Sequence, residues 1–183
     1  MFVIYNLPCR ECGTTKPHGD LSLDEAGEQG YMEFIDSIKA AVDNFPNTPV
    51  AFIIEPEAIT NLVVYKDAEN CKAADPVYRR LIAYAIQSLA GMNVHLYLDG
   101  GHSGLLGWDG KIDAAAGIAA DIYQAAGSPV NLHGVRIPPP PSSPVGRTRL
   151  TAVLMRAFSS LSMSGETISG LSEIAQRLRE TMV

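Results

Sequence analysis

The chain has 183 residues, 46% of them hydrophobic, enough for one domain with a proper core and too few for two of ordinary size. A formal net charge of −6 and a sequence pI near 5.1 exclude the basic face that nucleic acid or an anionic membrane requires, and favour a neutral or small polar ligand. No apolar run reaches the roughly 18 residues of a membrane span, and Met1–Tyr5 has neither the basic start nor the long apolar stretch of a signal peptide.

Phe2-Val3-Ile4-Tyr5-Asn6-Leu7 is a run of β-formers stopped by Pro8, which predicts a buried strand running into a loop. Cys9 and Cys12 follow at Cys-x-x-Cys spacing, without the second pair or His-x-x-x-His that would complete a zinc set. A redox pair normally opens a helix, whereas Gly13, Pro17 and Gly19 here promise a loop. From Tyr31 to Phe45, Phe34, Ile35, Ile38, Ala41, Val42 and Phe45 recur at helical steps and predict a core-packing helix. Val50-Ala51-Phe52-Ile53-Ile54 is apolar without alternation, as in a parallel strand covered on both faces, and Glu55-Pro56-Glu57 ends it.

Asp75-Pro76 supplies an N-cap followed by a first-turn proline, and Leu81, Ile82, Ala85, Ile86 and Leu89 then share one face, so a helix is expected over 75–89. Val94–Leu98 reads as the third strand, with Asp99-Gly100-Gly101-His102 as its glycine-rich exit. Ile112–Ala126 is alanine-rich and helical, Gly127 stands where a C-cap glycine belongs, and Val130–Ile137 completes a fourth strand. Four alternations predict an α/β fold with parallel strands. Pro138-Pro139-Pro140-Pro141-Ser142-Ser143-Pro144 cannot join a ladder, so a boundary is expected there. It divides the chain into 1–137 and a tail, 138–183, in which 150–161 and 167–182 have helix-compatible spacing, the clearest stripe being Leu171, Ile174, Ala175 and Leu178.

In parallel α/β folds ligands sit at the carboxyl ends of the strands. Glu11 follows the first strand, Glu55 and Glu57 the second, and Asp99 the third. Glycosidic cleavage needs such a set, one acid to protonate the leaving oxygen and a second carboxylate for water or charge. Acids after strands also cap helices, where the dipole favours negative charge, so the distribution alone is compatible with either role. His102 has no second His at helical or hairpin spacing and His18, His95 and His133 are scattered, so no metal site is expected. Tyr78, Tyr84 and Tyr123 fall on predicted helices and read as packing residues. Gly101-His102-Ser103-Gly104 lacks the outer glycine of a nucleophile elbow, with Leu105 in its place, which removes a serine-hydrolase reading.

Three segments in order carry a family resemblance. Tyr5-Asn6-Leu7-Pro8-Cys9-Arg10-Glu11-Cys12, Ile54-Glu55-Pro56-Glu57-Ala58-Ile59-Thr60-Asn61-Leu62-Val63, and Tyr97-Leu98-Asp99-Gly100-Gly101-His102-Ser103-Gly104-Leu105-Leu106-Gly107-Trp108 resemble motifs of glycoside hydrolase family 6, the fungal cellobiohydrolases and endoglucanases. The resemblance covers residues 1 to about 137. It implies part of a distorted β/α barrel with parallel strands, incomplete here and followed by a divergent helical or disordered tail. It also implies hydrolysis of β-1,4-glucan with inversion, no cofactor, a β-1,4-glucan or cello-oligosaccharide ligand, and an extracellular location. Carried over by position, Glu57 takes the place of the general acid and Glu11 that of a second acid that raises the first one's pKa and relays a proton through water. Asp99 matches a residue that binds and stabilises the distorted sugar, Tyr5 the tyrosine under the reacting ring, Arg10 the arginine beside the second acid, and Trp108 an aromatic of the cleft. Cys12 and Cys71 fall where the family carries a disulfide, closing a loop of about 60 residues worth roughly 4 kcal/mol in an oxidising compartment.

The sequence departs from the pattern at named places. Glu11 and Glu57 stand for aspartates, Pro17 for a serine of a mobile loop and Leu105 for a sugar-stacking tryptophan. An extra methylene moves a carboxyl by about an ångström, and misplacement on that scale costs roughly a hundredfold in rate. The resemblance includes no counterpart of the later strands or of the family's catalytic base. The alternative reading is therefore a non-catalytic carbohydrate-binding remnant or truncated gene product, and a complete small α/β domain of unrelated function is a third.

Overall fold

The computed structural model describes residues 1–15, 19–101, 103–108 and 110–136. In chain order the elements are β1 (Phe2–Ile4), α1 (Glu25–Asp43), β2 (Val50–Ile54), α2 (Ala58–Val64), α3 (Glu69–Leu89), β3 (Val94–Asp99), α4 (Ser103–Leu106), α5 (Lys111–Ala125) and β4 (Leu132–Arg136). The strands form one parallel sheet in the order β1-β2-β3-β4. The expected parallel α/β architecture is therefore present among the described residues. The boundary expected after Ile137 and the helices expected over 150–161 and 167–182 lie outside them, as do Pro17 and His102.

Strand registry explains the core. Ile4, Ile54, Leu98 and Val135 pair across all four strands and are all buried. Each such side chain contributes roughly 1.5–3 kcal/mol by leaving water. Phe52 and Leu96 extend that face, where Tyr31 and Ile35 of α1 and Leu81, Ile82 and Ile86 of α3 join one hydrophobic cluster. The double coverage expected of β2 does not extend across the whole opposite face. Ile53 is buried on it, but Val3 and His95 are exposed and Tyr97 is only half-buried. Side chains alternate along a strand, so one face of β3 is core while the other is polar and partly wet.

Helix boundaries correct the sequence reading in three places. α1 starts at Glu25, capped by Asp24, whose carboxylate accepts from the Gly27 N–H at 2.8 Å. α3 starts at Glu69, six residues before Asp75, and Pro76 lies inside it. The stretch Glu69-Asn70-Cys71-Lys72-Ala73-Ala74 contains good helix formers, and Pro76 forfeits only the bond to the carbonyl of Lys72, within the first two turns. Asp75 does not cap; its carboxylate accepts from Arg79 Nε, one turn on, at 2.6 Å. α2 and α4, not anticipated, occupy the segments after β2 and β3. Gly127 does end α5, in the left-handed conformation at φ 80°.

Candidate active site

The carboxyl ends of β1, β2 and β3 gather four acids, Glu11, Glu55, Glu57 and Asp99, the first three of them on unusual backbone. Cys9, Glu11, Glu55 and Glu57 have φ of 53°, 60°, 47° and 61°, left-handed values that non-glycine side chains rarely adopt. Such strain persists only where surrounding contacts over-determine it. Specific contacts hold each of the four.

At the end of β1 the Tyr5 hydroxyl donates to Glu11 Oε1 at 2.9 Å. Arg10 Nη1 donates to the Tyr5 carbonyl at 2.7 Å, and its guanidinium carbon lies 4.9 Å from the centroid of the Tyr5 ring. The Tyr5 phenol is pushed up to about 12, first by burial and then by the hydrogen bond to Glu11 and its charge, while Arg10 pulls the other way. The charge of Glu57 raises it a little further. The Cys9 N–H donates to the Leu21 carbonyl and the Cys9 carbonyl accepts from the buried Tyr78 hydroxyl, both at 2.8 Å. Tyr78, expected to be a packing residue, thus also holds this loop.

At the end of β2, Glu55 turns into the protein and is 1% exposed. Its Oε1 accepts from the Asn6 N–H and the Tyr31 hydroxyl, both at 3.0 Å, and Oε2 faces the Leu7 N–H at 3.4 Å. Burial pushes its pKa up to about 7, while the bonds from Asn6, Tyr31 and Leu7 and the charge of Arg10 oppose the rise. Glu57, two residues on, occupies the N-cap position of α2 without a side-chain cap bond. Its backbone N–H donates to Asp99 Oδ1 at 3.0 Å.

At the end of β3 the same Asp99 oxygen accepts from the Gly101 N–H at 2.8 Å, and Asp99 is 5% exposed. The Thr60 hydroxyl donates to the Gly100 carbonyl at 3.1 Å, pinning the turn to α2. Gly101 has φ 77°, and a Cβ there would stand 1.6 Å from Thr60 Oγ1, so only glycine fits. Trp108, beyond α4, is 69% exposed and its Nε1 donates to the Gly104 carbonyl at 3.2 Å.

Of the residues singled out in the sequence, Tyr5, Arg10 and Glu11 are linked to one another by these contacts, and Glu57 is linked to Asp99. No contact described here links Trp108 to them. Cys12 and Cys71 are joined in a disulfide between the β1 exit loop and the first turn of α3, with Cα atoms 4.9 Å apart. Cys9 is a free thiol, raised by burial. The reading of the sequence counted Glu55 among the strand-end acids but gave it no role of its own, and the signal available for one was the first acid of Glu55-Pro56-Glu57. It also took His95 and His133 as scattered, whereas adjacent strands bring His95 Nδ1 within 2.8 Å of His133 Nε2 near the amino ends of β3 and β4. Among the described residues no group of three His, Cys, Asp or Glu is arranged to hold a metal ion.

Comparison with known proteins converges on one group. Residues 1–137 match the family model of glycosyl hydrolases family 6. The chain is 40% identical over 134 residues to a putative endoglucanase type B of Fusarium oxysporum, a match covering 73% of this chain and 29% of that protein. It is 38% identical over 133 residues to exoglucanase 3 of Agaricus bisporus, covering 73% of this chain and 30% of the relative. The chain thus spans about three-tenths of the length of the curated relatives it matches. Among solved structures it is similar to a variant of the cellobiohydrolase Cel6A of Humicola insolens in complex with a cellobio-derived isofagomine. That match has TM-score 0.70 and 32% identity, over 74% of this chain and 38% of that one. The catalytic domain of Cellulomonas fimi Cel6B matches with TM-score 0.70 and 34% identity, over 74% of this chain and 32% of the other.

Proposed function

Because the chain belongs to the glycosyl hydrolases of family 6, we propose that it cleaves β-1,4-glucan with inversion, at a site where Glu57 is the general acid and Glu11 its partner carboxylate. The observation that supports it is the Tyr5 phenol, bonded to Glu11 at 2.9 Å at the exit of β1, the strand paired directly with β2, whose exit carries Glu57. In this reading the Glu57 carboxyl donates the proton to the leaving oxygen. Glu11 then supports re-protonation of Glu57 through water. The Tyr5 ring with Arg10 forms the floor under the reacting sugar. Asp99 holds the Glu57 backbone through Oδ1, so contact with the distorted sugar falls to Oδ2. Trp108, exposed beyond α4, offers an apolar face to a further glucose unit. The Cys12–Cys71 disulfide supports an oxidising, extracellular setting.

Release of reducing sugar from amorphous cellulose or a cello-oligosaccharide, abolished in Glu57→Gln, tests the proposal. No release by soluble, folded protein would remove its enzymatic part. The glutamates at 11 and 57, which stand where the family resemblance places aspartates, favour a second reading, carbohydrate binding without turnover. Calorimetric binding of cello-oligosaccharide with no sugar released would select it.

A further inference from the structure

Glu55 has no part in the chemistry proposed above, yet two chain segments converge on it. Its carboxyl accepts from the Asn6 and Leu7 N–H groups of the β1 exit and from the Tyr31 hydroxyl of α1. Its own N–H donates to the Ile4 carbonyl at 2.8 Å, extending the β1–β2 pairing by one bond beyond the strands. An acid that is 1% exposed is costly unless its oxygens are satisfied, and an apolar residue of similar size would avoid the cost. What the acid supplies is acceptors at a turn whose two consecutive N–H groups have left the ladder.

The two residues on either side of that turn matter to the site. Tyr5 precedes Asn6 and carries the phenol that meets Glu11; Glu57 follows Glu55 by two and is anchored to Asp99. Fixing the Asn6–Leu7 turn to Glu55 therefore ties the end of β1 to the end of β2 beside both proposed acids. We infer that Glu55 is a positioning residue, whose buried carboxyl clamps the Asn6–Leu7 turn and thereby sets where Tyr5 and Glu11 stand relative to Glu57. The inference rests on the reading of Glu11 and Glu57 as the working pair. Glutamine cannot replace the acid fully: its carbonyl keeps the bonds from Asn6 and Tyr31, but its amide sets a donor against the Leu7 N–H. The charged or titratable groups that act on Glu55, or that it acts on, are Arg10, Tyr31 and Tyr78, and none of them can take over its acceptor role at the turn.

The test uses the full chain as wild type, Glu55→Gln, Tyr31→Phe and, as a control for plain destabilisation, Ile122→Val in the core of α5. NMR follows the Asn6 and Leu7 amide resonances and the NOE between the Tyr5 ring and the Glu11 side chain; hydrolysis of a cello-oligosaccharide gives kcat and KM. Expected for Glu55→Gln are a shifted Leu7 amide, a weakened Tyr5–Glu11 NOE and a kcat lower by about tenfold or more, with KM within about threefold. Ile122→Val leaves all of these unchanged. Should wild type release no sugar, the functional reading fails while the NMR arm still decides the positioning role. A folded Glu55→Gln with unaltered Leu7 amide and Tyr5–Glu11 NOE overturns it. If Glu55→Gln does not fold, Tyr31→Phe, which takes one donor from the clamp, must show the same NMR changes at smaller size, and their absence overturns it equally.

Discussion

Tyr5 donates its phenol proton to Glu11 across 2.9 Å while its ring lies under the Arg10 guanidinium. The two contacts separate cleanly in Tyr5→Phe, which deletes the hydroxyl and keeps the ring. Loss of a half-buried bond to a carboxylate is expected to cost about 1 kcal/mol in urea unfolding, and turnover of cello-oligosaccharide is expected to fall because Glu11 loses its tether. Wild-type stability together with wild-type turnover would mean that the bond is not populated.

The Cys12–Cys71 bridge spans 59 residues of sequence and fixes the loop bearing Arg10 and Glu11 to α3. Replacing both cysteines by serine is expected to lower unfolding free energy by about 4 kcal/mol on chain-entropy grounds. Iodoacetamide should label Cys9 alone without reductant, and slowly at pH 7, because burial raises its thiol. Labelling of three thiols in the unreduced, denatured chain would contradict the pairing.

How much of this was legible follows from what each residue signals. β2 was expected over 50–54 and found there, because an unbroken apolar run rich in β-branched residues between turn signals has few other solutions. β3 runs one residue beyond its expected bounds, taking in Asp99. α2 was illegible because Ala58, Ile59, Thr60, Asn61, Leu62 and Val63 are all buried, leaving no polar face and hence no helical stripe. The start of α3 was misread because Asp75-Pro76 carries a helix-start signal that here falls within a helix already begun. The left-handed turns at Glu11, Glu55 and Glu57 had no glycine to announce them. The burial of Glu55 ran against the ordinary exposure of acids, so its role waited on geometry.

Glu57 holds a left-handed φ of 61° at the N-cap of α2 with no side-chain cap bond. Aspartate tolerates that region better than glutamate, and its shorter side chain is a stronger N-cap. Glu57→Asp is therefore expected to stabilise the chain by about 0.5–1 kcal/mol. It is also expected to retain or raise turnover, since the family resemblance places an aspartate here. A destabilised or inactive Glu57→Asp in urea unfolding and sugar-release assays would show that this site has adapted to the longer acid.

Gly101 and Thr60 form a coupled pair. In Gly101→Ala the left-handed backbone and the collision with Thr60 Oγ1 add, with an expected cost of about 3 kcal/mol. Thr60→Ala removes the bond to the Gly100 carbonyl and costs about 1 kcal/mol. The double variant should be more stable than the sum predicts, by about 1 kcal/mol, because the colliding oxygen is gone. Simple additivity in a urea-unfolding cycle would place the cost of Gly101→Ala in the backbone alone.

Glu55 makes stability depend on pH in a defined direction. Its ordinary pKa of 4.5 applies to the unfolded chain and about 7 to the folded one, so between those values the folded chain holds a proton that the unfolded chain has released. Stability contributed by this group is fully present below pH 4.5 and declines as pH rises, levelling off above about 7 after a loss of up to about 3 kcal/mol. Glu55→Gln cannot titrate, so the difference between wild-type and variant unfolding free energies isolates this slope from every other group. Tyr31→Phe removes a bond that favours the charged carboxylate and should move the upper end of the window to higher pH. A wild-type minus Glu55→Gln difference that stays flat from pH 4.5 to 8 would mean that the folded carboxyl is as acidic as an exposed one, with its acceptor bonds outweighing its burial.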